Sequence, residues 1–365
     1  MRNRSIDVGR GLLVLMMVYG HVLQFFADTQ LFPLADTLMN LINLTVFPTF
    51  VFYFGMTAAI AYLNKPYRSA LRGMAGTMLR TYAAFVLSGV GYRVLRENKP
   101  FAAGTVRRVM LLQDIPGWSE FLIAFSLYML VLIVLFPLIK GASCRPGAAL
   151  AAGIVCMLCC ELIPYKRIAP PQLALLIGGR DFSYFPVVQY MPYFLSGLVY
   201  AQAHRGTRRR ILFLATAASV LGLIKYVING RLPSRFPPDW AWIALPALLV
   251  ALVAALANAL CAPQGGRLHR ISAPLCRMLS HLGGKSLYYL LMSNLVLFTM
   301  SGKGIVPQLS RKGMPPWTKP IQSPAGALCW TAVLLVCIAY SVNLAGRGAR
   351  RAENRQKAEY TAQNL

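Results

Sequence analysis

Charge is scarce in this chain, and acid is the scarcest part of it. Asp, Glu, Lys and Arg together make only 13% of the 365 residues, with 11 acidic side chains against 37 basic ones and four histidines. Soluble domains carry about 25% charged residues, so an ordinary soluble fold is excluded. No internal repeat, low-complexity tract or separate polar domain interrupts the sequence, which excludes solenoids and flexible multidomain arrays. The basic residues are spread among loops without a nucleic-acid motif, so nucleic acid is not an expected partner. Cysteine is present but poorly placed for chemistry. Three of the eight crowd into "CMLCC" (Cys156, Cys159, Cys160) within an apolar stretch, without the polar surroundings that metal ligands need. They read as small buried hydrophobes, and neither a metal site nor a disulfide scaffold is expected.

What the chain has in excess is apolar sequence. Hydrophobic residues reach 57% and the mean hydropathy is +0.54. Ten runs approach the ~20 residues that a helix needs to cross a bilayer: 11–27, 45–63, 74–95, 118–140, 147–163, 184–203, 210–228, 240–261, 284–300 and 325–345. The expected fold is all-α, a polytopic integral membrane protein of about ten transmembrane helices. Residues 1–346 form one transmembrane domain, and 347–365 a basic tail. The first run follows a basic "MRNR" but lacks a small-x-small cleavage site, so it reads as a retained helix and not as a signal peptide. An even number of crossings puts both termini on one side, and the tail "RGARRAENRQK" makes that side the cytoplasm. On this placement 22 of the basic residues lie inside, together with only three acidic ones, Asp7, Glu353 and Glu359. Such a face suits anionic lipid and equally a polyanionic cytosolic cofactor.

Against that apolar background two ionisable residues of the first helix stand out. Arg10 and His21 bracket ten apolar or small residues, although removing such groups from water is costly. Eleven residues at 100° each close about 20° beyond three turns, so the two side chains share one face about 16 Å apart. Asp7 lies one turn before Arg10 and is spaced to hold it. A molecule with an anionic end and a distant reactive end fits this span, as acyl-CoA does. The guanidinium fork recognises phosphate. An imidazole near its ordinary pKa takes a proton from an attacking hydroxyl. The plainer alternative is an arginine that snorkels and a histidine that packs between helices.

The same residues carry a family resemblance. "RSIDVGRG" followed by Arg-x10-His resembles the first helix of the acyltransferase family 3 membrane proteins, and "VFPTFVFYFGMTAAIAYL" resembles their second helix and that of the related heparan-glucosaminide N-acetyltransferase group. "ALRGMAGTMLRTYAAF", "GWSEFLIAFSLYMLVLIVLFPL", "YMPYFLSGLVYA" and "HLGGKSLYYLLMSNLVLF" are similar to later helices of the family. The resemblance implies a multi-pass enzyme of the plasma (inner) membrane that moves an acyl group, acetyl by family default, from cytosolic acyl-CoA to a glycan of the cell envelope. It implies His21 as the catalytic histidine, with Arg10 and Asp7 organising the donor site. Arg80 matches a family arginine near the cytoplasmic face, and Arg72 is a weaker candidate for the same role. Where many relatives have a histidine near the end of the ninth helix, this chain has Ser293 and Asn294. Where many have a His-Leu-Trp-Phe-like entry to the fourth helix, it has "GWSEFL".

Glu120 of that entry is spaced either to orient His21 or to bind an acceptor hydroxyl. Lys285, in "LSHLGGKS", is not part of a P-loop because the glycine spacing is wrong. It would still present charge and helix-start amides to an anion. His204, His269 and His281 fall in expected inner loops among basic neighbours. The outer loops "IPYKRIAPPQLALLIGGRDFSYFP" and "GKGIVPQLSRKGMPPWTKPIQSP" mix aromatic, basic and proline residues, suited to a sugar groove or anionic lipid. Association with further copies of the chain is left open. The rival class is a transporter or flippase for an anionic or glycolipid substrate. Against it, the sequence lacks inverted repeats with paired broken helices.

Overall fold

The computed structural model describes residues 3–29, 32–179, 185–262, 266–301 and 321–342, without the side chains of 266–271. The basic tail, the loop 302–320 and the His269 side chain lie outside the described residues. The chain begins with α1 (Arg4–Phe26), capped by the Asn3 side chain, which accepts a hydrogen bond from the Ser5 amide. It continues through α2 (Leu34–Ala58), α3 (Tyr67–Gly91) and α4 (Ala103–Met110). Then come α5 (Glu120–Val134), α6 (Phe136–Ser143), α7 (Pro146–Leu158), α8 (Pro171–Ile177) and α9 (Met191–Gln202). The last third holds α10 (Arg205–Asn229), α11 (Trp240–Ala244), α12 (Ala247–Cys261), α13 (Gly266–Gly284), α14 (Ser286–Ser301) and α15 (Pro324–Val342). No strand occurs among the described residues; one isolated bridge joins Ala27 to Ile321, where α1 ends and α15 approaches.

Each of the ten apolar runs is mainly helical over its described residues, so the fold is all-α with several candidate membrane spans. The lengths differ from expectation. Among the described residues, five helices are long and apolar enough to cross a membrane: Arg4–Phe26, Leu34–Leu63, Arg205–Asn229, Trp240–Cys261 and Pro324–Val342. A sixth span exists if α5 and α6 are taken together, but these bend by 89°. The expected straight span 118–140 is therefore broken. Its cause is Pro137, in the first turn of α6, which has no N–H to give to the preceding turn and clashes with it. Proline acts more gently in α2, where Pro48 sits inside an unbroken helix. There the Thr49 hydroxyl donates to the Thr45 carbonyl at 2.6 Å, one residue on from the Leu44 carbonyl to which Pro48 has no N–H to give. Pi-helical turns extend α2 over Ala59–Leu63 and α3 over Tyr92–Arg96.

The second correction concerns 266–284, read above as loop. It forms α13, interrupted by no cap despite Pro274, and it places His281 on a helix and not in a loop. His204 is the residue that precedes α10. Helix α13 packs along α1 at very short range. A Cβ on Gly11 would fall on the Leu279 carbonyl, and one on Gly283 on the Asp7 carbonyl. Small residues let two backbones meet in this way, which is how membrane helices gain contact without a hydrophobic drive. With α2, α12 and α14 also against it, α1 is the central strut, and Val8, Leu13, Val14 and Val18 on it are wholly buried.

Replacing Gly11 or Gly283 with Val should therefore separate α1 from α13. Overpacking of this kind costs about 1–3 kcal/mol. The expected result is a lower melting temperature of the detergent-purified protein for both variants, measured beside Gly104→Val, whose site is open.

Candidate active site

His21 lies near the far end of α1 from Arg10. Phe25, one turn on, stands edge-on to it at 6.4 Å between centroids. The His21 side chain also hydrogen-bonds to the side chain of Asn294 in α14. Asn294 is itself held firmly. Its amide nitrogen donates to the Ser88 hydroxyl of α3 at 3.1 Å and to the Trp118 carbonyl at 2.9 Å. Ser88 in turn shares a 2.8 Å hydrogen bond with Ser119.

This network places a polar side chain beside the histidine. Both amide hydrogens of Asn294 are used, so the amide oxygen is what remains for His21. Nδ1 of His21 is buried and has no hydrogen-bond partner among the described residues. Asn294 is thus the polar neighbour of the His21 ring, and Nδ1 is the ring nitrogen left without a partner. That is the arrangement of a base whose second nitrogen is oriented by a neighbour.

The ring lines a cavity of about 280 Å³ formed by α1, α2, the entry to α5 and the segments around Phe185 and Phe236. Glu120, at the first position of α5, lines the same cavity and is 8% exposed. Its carboxylate is drawn to the backbone amides of Trp118, Ser119 and Glu120, the positive end of the helix. Trp118 takes a left-handed backbone, φ 61°, and this turns the chain so that those amides converge. No hydrogen bond joins Glu120 to His21; Asn294 is the residue that orients the imidazole. Arg235, from the loop between α10 and α11, also lines the cavity, its guanidinium over the rings of Phe236 at 4.5 Å and Phe185 at 5.3 Å.

An aromatic collar closes the mouth. The Trp118 indole donates to the Gln24 side chain at 2.9 Å and stacks near Phe25 and Tyr92. Arg96 covers the Phe25 and Trp118 rings at 4.5 and 5.4 Å. Behind it, Arg93 binds Asp114 and Glu97, so the segment leading to Trp118 is tethered to α3.

The donor candidates divide into two groups. Arg10 donates to the Ser286 hydroxyl at 2.5 Å, Asp7 is buried one turn before it, and Lys285 is the exposed neighbour of Ser286. These three converge at the end of α1 opposite His21. Arg72 and Arg80 do not join them: both are exposed on α3 and neither has a hydrogen bond or ion pair among the described residues. Sequence reasoning missed Arg235 and the supporting pair Ser88 and Ser119, and named Asn294 only as the occupant of an absent histidine's place. Nothing in "PSRFPPDW" sets Arg235 apart from other loop arginines.

Residues 3–344 match a family model described as an acyltransferase domain, and the chain belongs to that family, acyltransferase family 3. It is thus a multi-pass membrane protein of an acyltransferase family. No curated protein matches the chain, and no solved structure does.

The tether behind the collar has a pH signature. Burial raises the Glu97 carboxyl, but hydrogen bonds from Arg93 and Lys99 outweigh it and hold the group below the ordinary carboxylate range. A carboxyl depressed in the folded state adds stability that is complete above its unfolded value, about 4.3, and lost as the pH falls through the folded value. Protection of the 97–117 segment from limited proteolysis should therefore hold down to about pH 4.3 and decline below it. In Glu97→Gln that carboxylate-dependent decline should disappear.

Proposed function

We propose that the protein is an acyl-CoA-dependent O-acyltransferase of the plasma membrane that modifies a hydroxyl of an extracytoplasmic or cell-surface glycan, with His21 as general base. The observation that carries this reading is the His21 side chain, beside Asn294 and lining a cavity, with Nδ1 buried and unpartnered. Burial of Nδ1 restricts its access to bulk water, so an acceptor hydroxyl held at the base outcompetes hydrolysis.

The steps balance on this chain's own residues. Nδ1 takes the acceptor hydroxyl proton as the oxygen attacks the thioester carbonyl carbon. The resulting imidazolium is held by its hydrogen bond to the Asn294 side chain. Collapse of the tetrahedral intermediate breaks the C–S bond, and the proton on Nδ1 passes to the leaving CoA thiolate. With the N-terminus cytoplasmic, Arg10, positioned beside Asp7, and Lys285 would take the donor's phosphates, leaving a pantetheine arm to cover the ~16 Å to His21. Arg72 and Arg80, exposed on α3, would draw the polyanion to that face by long-range attraction. Acetyl is the acyl group we favour.

The expected result with radiolabelled acetyl-CoA and nanodisc protein is donor binding and slow hydrolysis by wild type. His21→Ala should retain binding and lose turnover by about 10²–10⁴. Arg10→Ala should lose binding. Asn294→Ala should lower kcat with little change in KM, because the imidazole loses its orientation and not its substrate. Wild type that neither binds nor cleaves any acyl-CoA would overturn the proposal and favour the transporter class.

A further inference from the structure

Helix α10 touches the rest of the protein lightly: of its 25 residues only Ile211, Ser219 and Gly222 are buried. It is pinned toward its far end. The Ser219 hydroxyl donates to the Leu245 carbonyl at 2.8 Å and accepts from the Leu248 amide at 2.8 Å. A Cβ on Gly222 would fall 3.1 Å from the Ala241 carbonyl. Alongside, α10 lines a cleft of about 450 Å³ together with α7, α9, α11 and α12. Its α10 wall runs from Arg208 to Leu221, about 20 Å of helix at 1.5 Å per residue. The cleft shares no lining residue with the His21 cavity.

The lining divides by chemistry. Arg208 and Arg209 are its charged members, and no acidic side chain lines it. Both are exposed, and neither has an ion pair among the described residues. Deeper in, the Ser196 and Tyr193 hydroxyls are spent on the Tyr193 and Ile243 carbonyls, so the remaining walls ask for apolar contact. The two arginines mark the Arg10 end of the molecule. Arg208 lies over the Tyr200 ring at 4.8 Å, Tyr200 meets Phe52 edge-on at 5.5 Å, and a Cβ on Gly9 of α1 would fall on the adjacent Tyr53 ring.

We infer that this cleft binds an anionic phospholipid of the leaflet on that side, with its phosphate on Arg208 and Arg209 and one acyl chain along α10. The length fits. A hydrocarbon core ~30 Å thick gives each leaflet ~15 Å of chain, which the cleft accommodates. Guanidinium forks take phosphate oxygens in pairs. A zwitterionic lipid offers the same phosphate, but its ammonium would meet two cations and no carboxylate in the lining. The acyl group of the proposed donor must end at His21, in the separate cavity, so this cleft does not carry it. The lipid site therefore stands independently of the transferase reading.

Native mass spectrometry of the detergent-purified full chain tests this, titrated with phosphatidylglycerol and with phosphatidylethanolamine of identical chains. Phosphatidylglycerol should bind saturably, and phosphatidylethanolamine about tenfold more weakly. In the double variant Arg208→Gln/Arg209→Gln, phosphatidylglycerol should bind about tenfold more weakly than in wild type, with phosphatidylethanolamine unchanged. Ala251→Trp, which fills the cleft without altering its charge, should also weaken phosphatidylglycerol. Inorganic phosphate and acetyl-CoA should not displace the lipid. Displacement by either would assign the arginines to a phosphate site that holds no acyl chain, and would overturn the proposal. Equal binding of the two lipids, or variants that bind phosphatidylglycerol as wild type does, would overturn it as well. If a variant fails to fold, the wild-type selectivity and the two competitions decide.

Discussion

The side-chain amide of Asn294 is the joint on which the rest of the site depends. It bonds three separate elements: His21 on α1, Ser88 on α3 and the Trp118 carbonyl before α5. In a low-dielectric interior such a network is strong when every member is satisfied and costly when one is not. Here every polar group of Asn294 is used, and the single vacancy it leaves is Nδ1 of His21. The asymmetry makes one nitrogen structural and the other reactive. The same network fixes where Glu120 sits, because the carbonyl that receives the Asn294 amide belongs to Trp118, whose left-handed backbone begins the turn into α5.

Helix α1 transmits this arrangement to the opposite end of the molecule. It can be central because Gly11 and Gly283 let α13 lie backbone to backbone against it. Burial in that position holds Arg10 and His21 at a fixed separation on a rigid rod. Arg10 reaches Ser286 at the start of α14, and Asn294, which orients His21, is on the same α14. One pair of helices therefore carries both ends of the site, and their relative displacement would disturb donor and base together.

Much of the architecture was visible in the order of residues. Apolar runs became helices because a chain in lipid must satisfy its own backbone, and the described parts of all ten expected segments are mainly helical. Pro137 was visible as well, but whether a proline breaks a helix or is absorbed by it depends on its neighbours. Pro48 is absorbed in α2, where Thr49 returns a hydrogen bond, whereas α5 and α6 turn sharply apart. Helix α13 was hidden because its sequence has no apolar run of membrane length. What makes it helical is a partner, α1, that only packing supplies.

The same division runs through the site. Arg10 and His21 could be placed on one face from spacing alone, since helical periodicity is a local property and ionisable residues in an apolar span are conspicuous. Glu120 was a candidate because it opens a helix. Asn294 and Ser88 are ordinary polar residues in apolar helices until α3 and α14 bring them within 3.1 Å of each other. Arg235 is one loop arginine among many until the chain folds it into the His21 cavity. Sequence by itself determined the all-α fold with its apolar helices and the axis along which the two key residues lie, because these follow from local hydropathy and helical pitch, while its motifs marked the family. Only the tertiary structure decided which nitrogen of His21 is free and which charges share its cavity, because those depend on contacts between segments more than 200 residues apart.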